Sequence, residues 1–276
     1  MQHKEYTFAG YNGTTLYGQS WQPDDAPKAK LAMVHGFGEH SGRYANLVNY
    51  FVPRGYALYG FDLRGHGRSS GLRGHIMRWH EYRSDVGVFM SQINQSNIPV
   101  FLYGHSLGGL ILLDYALNDP VKLNGIIVSA PSLGKVAISP LLFVMSKIIS
   151  SVYPKFTLHT GLDATMISRD PDVVSAYMSD PQVHDMATAR LGTELSSVQA
   201  WVQSHAGDLR LPVLMFQGSA DRLTSPADGK RFFSNVPDGS KRYIAYEGSS
   251  HEVHNDLDHH LVTADMDAWM KGCLVG

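Results

Sequence analysis

Cysteine is almost absent from the sequence: Cys273 is the single cysteine among 276 residues, so no internal disulfide can form. The charges nearly cancel, with 23 lysines and arginines against 25 aspartates and glutamates, and no basic run indicates nucleic-acid binding. No apolar stretch is long enough to cross a bilayer, and the polar residues 1–5 predict no secretory leader. These absences favour a reducing compartment, and we expect a cytoplasmic location.

Cofactor motifs are also missing. No G-x-G-x-x-G turn and no phosphate-binding loop follows a predicted strand, so we expect no nucleotide cofactor. The chain has 14 histidines, but His251-Glu-Val-His254 is one residue shorter than H-E-x-x-H. The adjacent His259 and His260 would point in different directions on a helix. We therefore expect neither a metal ion nor an organic cofactor.

Apolar residues make up 43% of the chain and charged residues 17%, as is typical of a globular protein with a sizeable core. Residues 6–20 alternate like an antiparallel hairpin, and short apolar runs further along alternate with helical spacing. The runs that predict strands are 31–34, 56–61, 100–103, 125–129, 212–216 and 242–246. This alternation predicts the α/β class, with a mostly parallel central sheet flanked by helices.

The strand predicted at 100–103 runs directly into Gly104-His-Ser-Leu-Gly108, and helical spacing follows over 107–117. The segment fits G-x-S-x-G, in which a sharp strand-to-helix turn lifts the serine clear of the sheet at a helix N-terminus. The two glycines are required because larger side chains would collide across such a turn. The pattern also occurs in ordinary glycine-rich turns, but the flanking strand and helix favour Ser106 as a nucleophile.

A serine nucleophile needs a base, and the base needs an acid that orients it; in this architecture the acid precedes the base and both follow the serine. The loop after 212–216 offers Asp221, and the loop after 242–246 offers His251. Both loops leave the sheet on the rim where Ser106 is predicted. Two other acids and one other base remain as alternatives: Asp228, Glu247 and His254.

Two backbone amides are needed to stabilise the oxyanion of a tetrahedral intermediate. The residue after the nucleophile supplies one, which predicts Leu107, and the loop His35-Gly-Phe-Gly38 offers the amide of Phe37. The polar loop at 62–69 is predicted to support this rim structurally, with Asp62 and Arg64 paired to each other.

The alternation of strands and helices stops after the sixth predicted strand, and residues 132–206 hold helical patterns without a clear buried strand. We predict a core domain of residues 1–131 and 207–276, interrupted by a helical cap, or lid, at 132–206. The apolar stretch 138–149 is either a buried helix or a lid over an apolar substrate pocket that also touches membrane or lipid aggregates. Met145 and Ile149 are its candidate substrate-binding residues.

Five segments together resemble the monoacylglycerol lipases and related lysophospholipases of the α/β-hydrolase fold. They are His35-Gly-Phe-Gly-Glu-His-Ser-Gly-Arg-Tyr44, Asp62-Leu-Arg-Gly-His-Gly-Arg-Ser69, Gly104-His-Ser-Leu-Gly-Gly109, Gly218-Ser-Ala-Asp-Arg-Leu223 and Glu247-Gly-Ser-Ser-His251. The resemblance implies a nucleophile, acid and base at Ser106, Asp221 and His251, oxyanion amides at Phe37 and Leu107, and a helical cap at about 133–206 over an acyl channel. Many members carry a small residue where Phe37 stands, so this ring is expected to favour shorter acyl chains.

The sequence therefore predicts a cofactor-free serine ester hydrolase that cleaves monoacylglycerols or similar single-chain lipid esters through an acyl-enzyme. A short-to-medium-chain carboxylesterase and a lysophospholipase are the alternatives within hydrolases. An aminopeptidase is less favoured, because no clear acidic anchor for a substrate amine is visible. A non-catalytic ligand-binding protein of the same fold is a more remote alternative, and the oligomeric state is left open.

Overall fold

The computed structural model describes residues 1–94, 96–119, 122–134, 140–239 and 241–275, without the side chains of 140–144. Its strands are β1 (Gln2–Ala9), β2 (Thr15–Gln22), β3 (Ala29–Val34), β4 (Tyr56–Phe61), β5 (Val100–His105), β6 (Gly125–Ser129), β7 (Thr157–His159), β8 (Met186–Thr188), β9 (Val213–Gly218) and β10 (Lys241–Tyr246). Eight of them form one sheet in the order β1-β2-β4-β3-β5-β6-β9-β10. The pairs from β4 to β10 are all parallel, which confirms the predicted mostly parallel sheet.

The predicted hairpin at the N-terminus is confirmed. β1 pairs with β2 in antiparallel register, from Gln2 opposite Gln22 to Ala9 opposite Thr15. The turn between them places Asn12 at φ 55°, in the left-handed region that asparagine tolerates better than most residues. β2 then pairs antiparallel with β4, so the hairpin covers one edge of the parallel sheet.

Successive residues of each strand point to opposite faces of the sheet, and helices cover both of these faces. The helices are α1 (Ala45–Phe51), α2 (His80–Ile93), α3 (Leu107–Asn118), α4 (Pro140–Val152), α5 (Pro171–Ser179), α6 (Ala189–Ser204), α7 (Pro226–Asn235) and α8 (His259–Val275). In β3, Ala32 and Val34 pack with the side chains of α2 and α3, whereas Leu31 and Met33 pack with those of α1 and α8. Within the described ranges, no helix is both long and apolar enough to cross a membrane.

The insertion lies after the sixth strand, as predicted, but it is not purely helical. Between β6 and β9 the chain forms α4, α5 and α6 together with β7 and β8, which pair antiparallel as a separate two-stranded sheet. Each of these strands has only three residues, and Leu158 in β7 is exposed, so no buried strand pattern marks them. Part of the predicted lid stretch, residues 135–139, lies outside the described residues.

The insertion is bound to two loops at the carboxyl edge of the sheet. The backbone amide of His184 donates to the carbonyl of Gly38 at 2.8 Å, and the amide of Thr188 donates to the carbonyl of Gly74 at 3.0 Å. The Nε2 atom of His40 lies 2.8 Å from the carboxylate of Asp180. These contacts fix the segment around β8 over the end of the sheet where Ser106 lies.

The predicted pair between Asp62 and Arg64 is wrong. Asp62 instead accepts hydrogen bonds from the backbone and hydroxyl of Ser41, at 2.8 and 2.7 Å. The Arg64 side chain extends to α2, where its guanidinium binds Asp85 at 2.6 Å and Glu81 at 2.7 Å. The loop therefore contacts the segment of Ser41 and the helix α2, and is not closed by a pair between its own residues.

Replacing Asp85 with alanine should lower the free energy of unfolding by about 3 kcal/mol, because the buried Arg64 guanidinium then loses its main counter-charge. Urea denaturation measures this change. The matched control is Arg68→Ala, which breaks the exposed pair of Arg68 with Glu5 and should cost under about 1 kcal/mol. Equal losses in the two variants would contradict a special role for the buried pair.

Candidate active site

Ser106 stands alone between β5 and α3, on a turn that requires its neighbouring glycines. Its φ is 52°, a strained value for a residue with a side chain. A Cβ added at Gly104 would lie 2.5 Å from the carbonyl oxygen of Gly108, and one added at Gly108 would lie 2.2 Å from that of Val34. Both contacts are too close for any other residue, so the collision expected from the sequence is present in the structure.

His251 and Asp221 meet at the same edge of the sheet. β9 and β10 are parallel neighbours, so the loops that follow them leave the sheet side by side. The Nδ1 atom of His251 lies 2.9 Å from Oδ2 of Asp221, and both side chains are buried. The structure thus joins two of the predicted site residues that are 30 positions apart in the sequence.

The Asp221 carboxylate is held by its own loop as well as by the histidine. Its Oδ1 atom accepts the backbone amides of Leu223 and Thr224, at 2.9 and 3.0 Å. Its Oδ2 atom accepts the hydroxyl of Thr224 at 2.7 Å and the side-chain amide of Gln217 at 3.1 Å. Neither Thr224 nor Gln217 was predicted from the sequence, where the only signal was their nearness to Asp221 in the chain.

The contact between His251 and Asp221 shifts the pKa of both groups. Burial lowers the pKa of His251, but the charge and hydrogen bond of Asp221 outweigh it, so the pKa lies above the usual value of 6.5. Burial also raises the pKa of the Asp221 carboxyl, and the nearby His251 and the hydrogen bonds from Thr224 outweigh that effect and lower it. Asp221 therefore remains a carboxylate that stabilises the protonated form of His251.

The alternative acids and base lie elsewhere. Asp228 pairs with Arg231 at 2.7 Å on α7, and Glu247 is exposed. His254 is fully buried against the ring of Tyr44, and burial is the main reason that its pKa falls to about 3. His254 is thus a neutral core histidine, whereas His251 is the one that faces the cavity described next.

Ser106 and His251 line one cavity of about 340 Å³ between the sheet and the insertion. Most of its wall is apolar. The lining side chains from the insertion include Leu162, Ile167, Tyr177, Leu191 and Leu195. No hydrogen bond joins Ser106 to His251 among the described residues, and such bonds are often long until a substrate is present.

Phe37 and Leu107, the predicted oxyanion residues, also line this cavity. Leu107 begins α3, so its amide is among those that a helix leaves without an internal partner. The loop of Phe37 passes beside Ser106, since a Cβ added at Gly36 would lie 3.2 Å from the Ser106 Cβ. The Phe37 ring packs edge-on against His184 of the insertion, with ring centroids 5.6 Å apart.

A buried ionic cluster beside the cavity was not predicted. Arg43 lies between two carboxylates, 3.0 Å from Glu39 and 2.6 Å from Glu252, and both glutamates line the cavity. Glu39 also accepts the backbone amide of Gly36 at 2.6 Å, which holds the loop of Phe37 in place. Burial opposes the charge on Arg43, but the two glutamates outweigh it and raise its pKa.

Met145 and Ile149 are not among the described residues that line the cavity. Both lie on α4, where Met145 is exposed and Ile149 is half-buried. Their predicted contact with substrate therefore stays a prediction. The apolar lining comes mainly from α6 and from the segment between β7 and α5, and neither was predicted from the sequence to contact substrate.

A mostly parallel sheet with a serine on a strand-to-helix turn and a histidine–aspartate pair at the same edge defines an α/β-hydrolase. Residues 25–258 match the family described as "Serine aminopeptidase, S33", and the chain belongs to this family.

Three proteins illustrate what this chain is similar to. It is 32% identical to a monoacylglycerol lipase of Mycolicibacterium smegmatis, over 96% of each chain. It is 30% identical to the phospholipase YtpA of Bacillus subtilis, over 86% of this chain and 92% of the relative. The crystal structure of a monoacylglycerol lipase from Paleococcus ferrophilus superposes with a TM-score of 0.84 at 31% identity, covering 93% of this chain and 98% of that one.

The rate of ester hydrolysis, as kcat/KM, should fall at acidic pH with a midpoint above 6.5, because a base must be neutral and the pKa of His251 is raised. In Asp221→Asn the counter-charge is gone and burial remains, so the midpoint should move to lower pH. The rate at the optimum should fall by roughly 10⁴-fold, because the ring loses the partner that orients it. Initial rates across a pH series measure both effects.

The matched control is Asp228→Asn, which removes the nearby carboxylate that is paired with Arg231. Its midpoint should equal that of the wild type. A shift in this variant with none in Asp221→Asn would assign the acid to Asp228 instead.

Proposed function

We propose that this chain is a serine hydrolase that cleaves the ester bond of monoacylglycerols and of similar single-chain lipid esters. The main support is a single, mostly apolar cavity that is lined by both Ser106 and the Asp221-paired His251. The similar proteins named monoacylglycerol lipase, which align over nearly the whole chain, support the same substrate class.

In the proposed mechanism, His251 takes the proton of the Ser106 hydroxyl as the serine oxygen attacks the ester carbonyl carbon. The tetrahedral intermediate collapses, the carbon–oxygen bond to the alcohol breaks, and His251 returns the proton to the leaving alcohol. Water then attacks the acyl-enzyme with His251 again as base, and the fatty acid is released. Asp221 orients the ring throughout and stabilises its charged form.

The negative charge on the intermediate is proposed to be stabilised by the backbone amides of Leu107 and Phe37. Removing one such donor typically costs about 10²–10³-fold in rate. Glu39 acts through the loop, since it binds the amide of Gly36 immediately before Phe37. It is a positioning residue in this scheme and does not contact the reacting atoms.

The composition of the cavity wall supports an ester with one acyl chain and a polar alcohol. Leucine and isoleucine side chains from the insertion suit an aliphatic chain, and the polar residues Tyr177, Glu39 and Glu252 line the same cavity. A volume of about 340 Å³ is at the small end of the range for ligand pockets, which is about 300–1,000 Å³. This favours a monoester over di- or triacylglycerols.

Other activities receive less support. A lysophospholipase is the nearest alternative, because the phospholipase YtpA of Bacillus subtilis is also similar in sequence. A short-chain carboxylesterase is less supported, because a short acyl group would not need the leucine and isoleucine side chains that the insertion adds to the cavity wall. An aminopeptidase would need a free carboxylate for the substrate amine, and Glu39 and Glu252, which line the cavity, are both bound to Arg43.

We also propose that residues 132–206 act as a cap whose outer face touches lipid. The α4 helix and the residue after it expose several apolar side chains on the insertion: Met145, Ile148, Val152 and Tyr153. Such a face gains free energy when it enters the boundary between headgroups and acyl chains. A cytoplasmic location with transient membrane contact stays a prediction.

Ser106→Ala should reduce kcat for ester hydrolysis by roughly 10⁶-fold with no change in folding, because the attacking oxygen is lost. Turnover of monoacylglycerols, diacylglycerols, triacylglycerols, lysophospholipids and short p-nitrophenyl esters measures the activity and identifies the substrate class. Only the monoacylglycerols and short esters should be hydrolysed rapidly.

A fluorophosphonate probe should label the wild type and Ser132→Ala, which removes another serine hydroxyl from the cavity wall, and should not label Ser106→Ala. A folded wild type that remains unlabelled would indicate a non-catalytic binding protein.

Val152→Glu should reduce the fraction of protein that sediments with phosphatidylcholine vesicles by about threefold or more, because a charge replaces an apolar contact. Val275→Glu, at another highly exposed valine on α8, is the matched control and should bind vesicles like the wild type. Hydrolysis of a dissolved short ester should be unchanged in both. Equal vesicle binding by the three proteins would contradict lipid contact through α4.

A further inference from the structure

The wall of the cavity reaches the surface of the insertion at two exposed lining residues. Among the described residues that line it, Thr160 and Gly192 alone are exposed, and Leu162, two positions after Thr160, is one of several half-buried lining residues. We call these three residues the mouth. It lies between the segment that follows β7 and the first turn of α6, so both of its sides belong to the insertion.

Neither the backbone conformation nor the packing requires a glycine at position 192. It lies inside α6, where glycine is less favourable than alanine. Its φ is not positive, unlike that of the turn glycines. A Cβ added to it would have no heavy atom within 4 Å, in contrast to Gly104 and Gly108, where neighbouring backbone excludes a side chain.

The helix directs residue 192 toward the path of a ligand. Leu191 and Leu195 of the same helix line the cavity, and residues three apart, such as 192 and 195, lie on one helix face. A side chain at position 192 would therefore extend into the opening beside Leu195. The glycine thus leaves open space at an exposed point of the cavity wall.

We propose that Gly192 is a specificity-determining residue that keeps the mouth open for acyl chains too long for the enclosed cavity. This inference rests on the proposed function, because it takes the occupant to be the acyl chain of an ester that reacts at Ser106. In this proposal a short acyl group is held near Ser106 inside the 340 Å³ cavity and is not limited by the size of residue 192. A long chain extends past it, so the size of residue 192 limits chain length.

The test compares Gly192→Ala and Gly192→Leu with the wild type on p-nitrophenyl butyrate and p-nitrophenyl decanoate. In Gly192→Leu, kcat/KM for the decanoate should fall by at least about tenfold, mainly through KM, and that for the butyrate should change by less than about threefold. Gly192→Ala should raise the melting temperature by roughly 2 °C with a smaller loss on the decanoate, because alanine is the better helix former.

Gly272→Leu is the matched control, because Gly272 is also an exposed helical glycine with no heavy atom near its added Cβ. Its ratio of decanoate to butyrate activity should equal that of the wild type.

A second approach adds a bulky group at position 192 after folding: Gly192→Cys is made in a Cys273→Ser background and alkylated with a maleimide. Alkylation should abolish most decanoate turnover and spare butyrate turnover.

An unchanged ratio in Gly192→Leu and in the alkylated protein, with butyrate turnover intact, would overturn the role of Gly192 and leave the proposed hydrolase function standing. A wild type that hydrolyses neither ester and is not labelled by a fluorophosphonate would instead overturn the proposed function itself.

Discussion

The site depends on the sharp turn that joins β5 to α3 at Ser106. The turn is possible only because glycines flank it, and it brings the start of α3 so close to β3 that Gly108 lies against the carbonyl of Val34. The loop that follows β3 is therefore held beside Ser106, and Phe37 and Leu107 line the same cavity. One strained backbone position thus places the serine and both proposed oxyanion donors together.

Buried charge is the second constraint, and the structure compensates it with specific partners. Arg43 is enclosed by Glu39 and Glu252, Arg64 by Asp85 and Glu81, and the ring of His251 by Asp221. Each group would be costly to bury without its partner. His105, next to Ser106, is buried among other histidines; burial and their charges hold its pKa well below the usual value. His251, in contrast, has a carboxylate partner that raises its pKa, so it is suited to accept a proton.

Features within one segment were predicted well, and most contacts between distant segments were not; the contact between Asp221 and His251 is the exception. The parallel sheet, the N-terminal hairpin and the turn at Ser106 follow from local periodicity and from glycine sterics. The Asp62–Arg64 pair was wrong because a long arginine side chain reaches whichever neighbour the fold supplies, which here is α2. The β7–β8 pair was missed because each strand has three residues and its partner is nearly thirty positions away. The cluster around Arg43 joins Glu39 to Glu252 from opposite ends of the chain.

The sequence by itself determined the order of the elements of the main sheet, the position of the insertion, the glycine-flanked Ser106 and its candidate partners. These features depend on residues that are neighbours in the chain. Only the tertiary structure decided that Asp221, and neither Asp228 nor Glu247, contacts His251, and that α6 forms the cavity wall with Gly192 at its mouth. These features depend on which loops and helices the folded sheet brings together. The distances between residues that lie far apart in the sequence arise from packing over the whole molecule, and no local pattern of residues encodes them.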